Sequence, residues 1–299
     1  MQVKFILRLA WDILMGQNIV IKLKCLDVKQ HTLEHKFSVY KALKGGTGIP
    51  WIHWFGIEDG FNAMTINYLG PSLNELFACC NSKFTARTVL CLAGQLVSHH
   101  NLYLLHRLIV STFIQIHCLQ FIHSCNFIHH DLKPSNLVMG IEAQSKVVYL
   151  IDFGLSKQFR NPKTYQYIPY TKHNGLTGNA RYASINGHLG WELWWRDDLE
   201  LLAYILIHFL CGSLPWEQLH NSQDILEVKQ KILAHELCHG IPQEFCMFLE
   251  YCHLLSFNAK PDYDCFFNLF NDHLSLSDGL CPRHLHFDWD VADSQPKVV

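Results

Sequence analysis

Charge is scarce in this chain, and it is balanced where it occurs. Of 299 residues only 17% are Asp, Glu, Lys or Arg, with 24 basic against 26 acidic and a formal net charge of −2. No field of one sign is on offer, so neither nucleic acid nor an anionic membrane is expected as a partner. Paired cysteines are lacking as well. The 12 cysteines are scattered without any C-x-x-C spacing, and no secretory signal opens the chain, which reads as a reduced, intracellular protein of cytoplasm or nucleus. No apolar run reaches the length of a membrane span: residues 102–118 come nearest, and His106 and Arg107 interrupt them. Glycine is absent from Met1 to Met15, so no G-x-G-x-x-G loop precedes the first β-branched run.

What is present starts with apolar residues, 49% of the chain, enough for a large core in one bilobal unit. Histidine is frequent. His235, Cys238 and His239 fall on one helical face, but no fourth ligand stands at zinc spacing, and they read as a packed or solvated surface. Ile19 to Lys24 reads as a strand, Leu33 to Leu43 as a helix stopped by Gly45-Gly46, and Trp51–Trp54 and Asn62–Tyr68 as further strands. Beyond Leu69-Gly70-Pro71-Ser72 helices dominate, at 73–80, 85–96, 197–210, 225–236 and 243–255. The reading is α+β: a small, abbreviated β-rich lobe over 1–68, a larger helical lobe over 69–271 and a tail over 272–299 expected to be loosely ordered in part.

The chemistry concentrates in His129-His130-Asp131-Leu132-Lys133-Pro134-Ser135-Asn136 and Asp152-Phe153-Gly154. This order and spacing resembles a protein-kinase catalytic centre, whose first Asp accepts the proton of the substrate hydroxyl while the Asn and second Asp hold Mg²⁺ against ATP. Further strings narrow the likeness. Gly45-Gly46-Thr47-Gly48-Ile49-Pro50, Leu69-Gly70-Pro71-Ser72-Leu73, Leu176 to Asn186 and Lys260-Pro261-Asp262-Tyr263 resemble the casein kinase 1 family, and Ser184-Ile185-Asn186 stands where most other kinases carry Ala-Pro-Glu.

The resemblance covers about Asp12 to Phe270 and implies a bilobal Ser/Thr kinase, monomeric, using ATP and Mg²⁺ on protein substrates, acidic or phosphorylated ones among them. By it, Asp131 is the catalytic base, Lys133 stabilises charge on the transferred group, and Asn136 and Asp152 are metal ligands. Lys22 grips the phosphates, the hinge from Asn67 to Leu69 holds adenine, and Arg181 reads anions on the substrate. Thr171, Asn174 and His220 stand where relatives carry further basic residues. Asp197 or Asp198 either caps its helix or ties down the catalytic loop.

Departures from the family pattern are specific. Besides the absent glycine loop, Lys36 occupies the position of the helix glutamate that should pair with Lys22, and His130 replaces an arginine. The alternative reading is therefore a catalytically impaired pseudokinase that serves as a binding scaffold. Residues 97–118 form an apolar insertion without family likeness, either a lineage-specific binding loop or a retained intron read in frame. If helical throughout, it would fuse 85–124 into one overlong helix.

Overall fold

The computed structural model describes residues 6–26, 32–97, 118–161, 163–164, 166–169, 171–172, 175–278 and 286–292. Its N-terminal part is a four-stranded antiparallel sheet in the order β1-β2-β4-β3, built from β1 (Ile6–Asp12), β2 (Gln17–Cys25), β3 (Ile52–Glu58) and β4 (Phe61–Asn67). β1 was not expected from the sequence. It pairs with β2 from Ile6↔Leu23 to Asp12↔Gln17, so the stretch before Asp12 is an edge strand. Leu7, Leu9 and Trp11 are exposed, which removes the half-buried alternation by which a strand is recognised. The Asp12 carboxylate nucleates the hairpin by accepting from Leu14 N at 2.9 Å and Met15 N at 3.0 Å.

Helix α1 (Thr32–Ala42) lies on this sheet, where Phe37 stacks on Phe55 with ring centroids 4.6 Å apart. The opposite side of α1 turns Tyr40 and Lys36 towards the helical part, and both are buried. Ser72 then starts α2 (Leu73–Cys79) with a capping box: Glu75 N donates to Ser72 Oγ, and Ser72 N donates to Glu75 at 2.8 Å.

The helical part is organised around α6 (Trp195–Cys211), buried nearly throughout, with a run from Leu201 to Leu210 that is apolar except at His208. Asp197 caps its start by accepting from Trp194 N at 2.8 Å. Gly212 closes its end at φ 86, a left-handed geometry that favours glycine. Around α6 pack α3 (Ala86–Val97), α4 (Cys118–Ser124) and α9 (Gln243–Leu254), all within one apolar core. The helix expected over 225–236 is two helices, α7 (Ser222–Lys231) and α8 (Ala234–Leu237). Ile232 and Leu233 between them are extended, at ψ 130 and ψ 147.

The start of the tail is helical. α10 (Tyr263–Asp278) packs against α3, and α11 (Asp288–Ala292) follows it. Phe287 is 1% exposed, and the Asp288 carboxylate accepts from Thr85 N and Thr85 Oγ1, both at 2.7 Å, capping the chain just ahead of α3. The tail therefore closes part of the core through Leu274, Phe287 and Trp289. Val97 and Cys118 are both buried, and the insertion between them, residues 98–117, lies outside the described residues, as does Asn174. No described helix is long and apolar enough to cross a membrane.

Candidate active site

Between β5 (Phe127–Ile128) and β6 (Leu137–Met139) runs the loop that carries His129 to Asn136. Backbone bonds secure its end, Asn136 N donating to the Lys133 carbonyl and Ile151 N to the Asn136 carbonyl, both at 2.9 Å, and a buried carboxylate holds its start. Asp198 of α6 accepts from His129 N at 2.6 Å, His130 N at 2.8 Å and His123 Nε2 at 2.9 Å. Burial works against a charge at Asp198, yet these donors hold its carboxyl below the ordinary carboxylate range. Of the two adjacent aspartates, Asp198 is thus the tie and Asp197 the cap. His130 sits at φ 70, a left-handed conformation that costs a non-glycine residue about 1–3 kcal/mol and persists only where the surroundings dictate it.

The loop presents three polar side chains together. Lys133 Nζ donates to Asp131 Oδ2 at 2.6 Å, and Asn136 Nδ2 donates to the Asp131 carbonyl at 2.9 Å. Asp131 Oδ1 is buried and has no partner among the described residues. A buried carboxylate oxygen without a donor costs free energy unless something supplies one. Gly178, at φ 94, passes directly over it: a Cβ there would lie 3.1 Å from the His130 carbonyl and 3.4 Å from Asp131 Oδ1.

Asp152 enters from the end of β7 (Val148–Leu150), also left-handed at φ 66. Its N–H donates to Tyr40 Oη at 3.2 Å, and Phe153 packs edge-on between Tyr40 and His129, with centroids 4.8 and 5.0 Å away. A ring column thus joins α1 to the loop of His129 to Asn136. Lys36 crosses from α1 to Asp152, Nζ to Oδ1, at 2.5 Å. Burial opposes ionisation of Asp152, but Lys36, with Lys22 and His129 behind it, holds the carboxyl below its usual range. Lys22 on β2 feels the same pair: burial and then Lys36 push its ammonium down, and Asp152 acts the other way. The residue expected to oppose Lys22 does lie within its electrostatic reach, but its direct contact is Asp152.

Asn136 and Asp152 offer an amide and a carboxylate oxygen, the hard donors that Mg²⁺ accepts. Asn136 spends its nitrogen on Asp131, which leaves Oδ1 for a cation, and Asp152 keeps its second oxygen outside the contact with Lys36. The donor set fits one such ion. At the hinge, Asn67 is tied in by its side chain, Oδ1 accepting from Trp51 N at 2.6 Å. Leu69 follows between β4 and Gly70, with no backbone hydrogen bond among the described residues. Its N–H and C=O are the kind of groups an adenine edge can use.

Residues 92–184 match the protein kinase domain. The matched stretch begins in α3, contains the whole catalytic loop and Asp152-Phe153-Gly154, and ends at Ser184. A protein kinase domain implies phosphoryl transfer to proteins with ATP and a divalent metal. The α+β architecture, a sheet followed by a mostly helical remainder, agrees with it.

In the helical part, a cavity of about 510 Å³ is lined by Lys133, Asn179, Arg181, Trp216, Glu217 and His220, among others. Arg181, read from the sequence as an anion receptor, has its guanidinium on Glu217 at 2.8 Å, while Trp216 Nε1 donates to the Arg181 carbonyl at 2.7 Å. Glu217 was not singled out from the sequence. Only the fold brings it to Arg181, and a lone glutamate in a loop carries no local signal. Tyr40 was missed for the same reason.

Proposed function

We propose that this chain is a serine/threonine protein kinase of the casein kinase 1 type, transferring the ATP γ-phosphoryl group to Ser or Thr hydroxyls of proteins. The observation that carries the reading is Asp131. One carboxylate oxygen is held by Lys133, which itself lines the open cavity, and the other is buried and without a partner among the described residues. A substrate hydroxyl that donates to Oδ1 satisfies it and is oriented for attack. Lys133 stands where negative charge develops on the transferred group. The hinge backbone at Leu69 takes the adenine edge, and Lys22 takes the α/β-phosphates. A divalent ion held by Asn136 and Asp152 would neutralise charge on the phosphates. Ser184-Ile185-Asn186 and the other casein kinase 1 strings support Ser/Thr selectivity and the subfamily.

The test is phosphorylation of casein by the full chain with Mg-ATP, comparing the wild type with Asp131→Asn. Loss of a general base removes about 10²–10⁴-fold of rate. Equal rates above background in both proteins defeat the assignment.

A further inference from the structure

The position of Lys36 carries a consequence for how the cleft handles charge, resting on the reading that it takes ATP. Lys36 comes from α1, its side chain is 8% exposed, and its Nζ lies on Asp152 Oδ1 at 2.5 Å. Its seat is built into the fold. A Cβ at Gly154 would fall 2.6 Å from Lys36 Cε, 3.1 Å from Asp152 Oδ1 and 3.3 Å from Lys36 Nζ, so the lysine lies directly against the bare Cα of Gly154. The ammonium thus rests on a carboxylate that, in the kinase reading, belongs to the metal.

The charge arithmetic points the same way. With an acidic residue at 36, as the resemblance implies, Lys22 and two carboxylates would leave the phosphate end of the cleft negative. A triphosphate could then enter only with a metal ion. With lysine at 36, the three groups Lys22, Lys36 and Asp152 together carry one net positive charge. The exchange of Glu for Lys changes the local charge by two units, the charge of one divalent cation. A lysine head is also a compact point charge with three donors, suited to phosphate oxygens.

We propose that Lys36 is the resident cation of this cleft, a binding residue that lets it hold the triphosphate of ATP without a divalent metal. Phosphate oxygens and Asp152 Oδ1 share its Nζ, with Lys22 on the other side. Metal at Asn136 and Asp152 then adds to nucleotide binding instead of being its condition.

The experiment is titration calorimetry on the full chain with ATP, in excess EDTA and in excess Mg²⁺, for wild type, Lys36→Glu and Lys36→Gln. Circular dichroism without ligand verifies that each variant is folded. In the wild type, the Kd in EDTA is expected to stay within about threefold of that in Mg²⁺. Lys36→Glu should lose at least about tenfold in EDTA and recover with Mg²⁺. Lys36→Gln keeps the length of the side chain without its charge, so it should weaken binding in EDTA too, and it decides the matter if the glutamate variant fails to fold. ATP binding by the wild type only with Mg²⁺ overturns the proposal and leaves the kinase reading standing. Unchanged affinity of Lys36→Gln in EDTA overturns it as well. No ATP binding under either condition overturns the kinase reading itself, and the proposal with it.

Discussion

Replacing Asp198 by alanine should cost this protein a large share of its stability, and the size of the loss can be worked from its contacts. The carboxylate accepts from His129 N, His130 N and His123 Nε2 at 2.6, 2.8 and 2.9 Å, and its side chain is 2% exposed. Each buried donor left without an acceptor costs about 1–3 kcal/mol, so the three together cost about 3–9 kcal/mol. Part is returned, because His130 could relax from its left-handed backbone and recover about 1–3 kcal/mol. A net loss of roughly 2–6 kcal/mol stands against a total stability of about 5–15 kcal/mol for an ordinary domain. With a conversion of about 2 °C per kcal/mol at this size, the melting temperature should fall by roughly 4–12 °C. Asp198→Asn keeps one acceptor and turns a donor towards the other N–H, so its loss should be smaller but of the same sign. Since the native carboxyl is held below its usual range, its contribution is whole at neutral pH and fades only as pH falls through the depressed value. Thermal and urea denaturation at pH 7 are the measurement. If Asp198→Ala melts within about 2 °C of wild type, the loop is not held by this carboxylate and the reasoning fails.

Two further outcomes follow from contacts in and beside the cavity that Arg181 lines. Glu217→Gln should release Arg181 from its 2.8 Å ion pair and raise kcat/KM for peptides with acidic or phosphorylated residues relative to neutral ones; an unchanged ratio means that Arg181 does not face the substrate. His188 Nε2 donates to the Ala180 carbonyl and its Nδ1 accepts from Ser222 Oγ, both at 3.0 Å, and burial followed by the nearby Lys229 pushes its pKa down to about 4. An unfolded histidine titrates near about 6.5, so its share of stability is complete above that pH and is lost as pH falls towards the folded value. Urea midpoints should therefore drop less in His188→Gln than in wild type between about pH 7.5 and about pH 5, and parallel drops would remove His188 from the acid response.

The parts of the site that were legible in the sequence are those written in contiguous loops. Asp131, Lys133 and Asn136 lie within one turn of chain, and their spacing alone fixes which groups can meet. The strand carrying Lys22 and the long buried helix after Asp197 were legible too, because a β-branched run and a mostly apolar helix declare themselves by composition. What escaped was set by distance or by exposure. Asp288 caps the chain ahead of α3 from about two hundred residues away, so neither end of that bond has a neighbour that hints at it. β1 escaped because its apolar residues face solvent, and periodicity reports burial rather than strandedness. The break at Ile232-Leu233 escaped because both residues continue the apolar pattern of α7 while their backbone turns extended.

Lys36 falls between these cases. Counting from Gly45-Gly46 placed it at the acidic position of the helix, and from the sequence it could only be read as a repulsion added to Lys22. The fold supplies the missing term, a carboxylate within reach and a glycine beneath it. A cation buried beside another cation would shed its proton or leave. One seated on Asp152 has a reason to stay, because pulling Lys36 away would leave Asp152 with its charge half-buried and its closest counter-ion gone. The substitution that looks like a lost ion pair is therefore better described as a redirected one. The pair no longer joins helix to strand. It joins helix to the end of β7, and through Phe153 and His129 to the same loop that Asp198 holds from below.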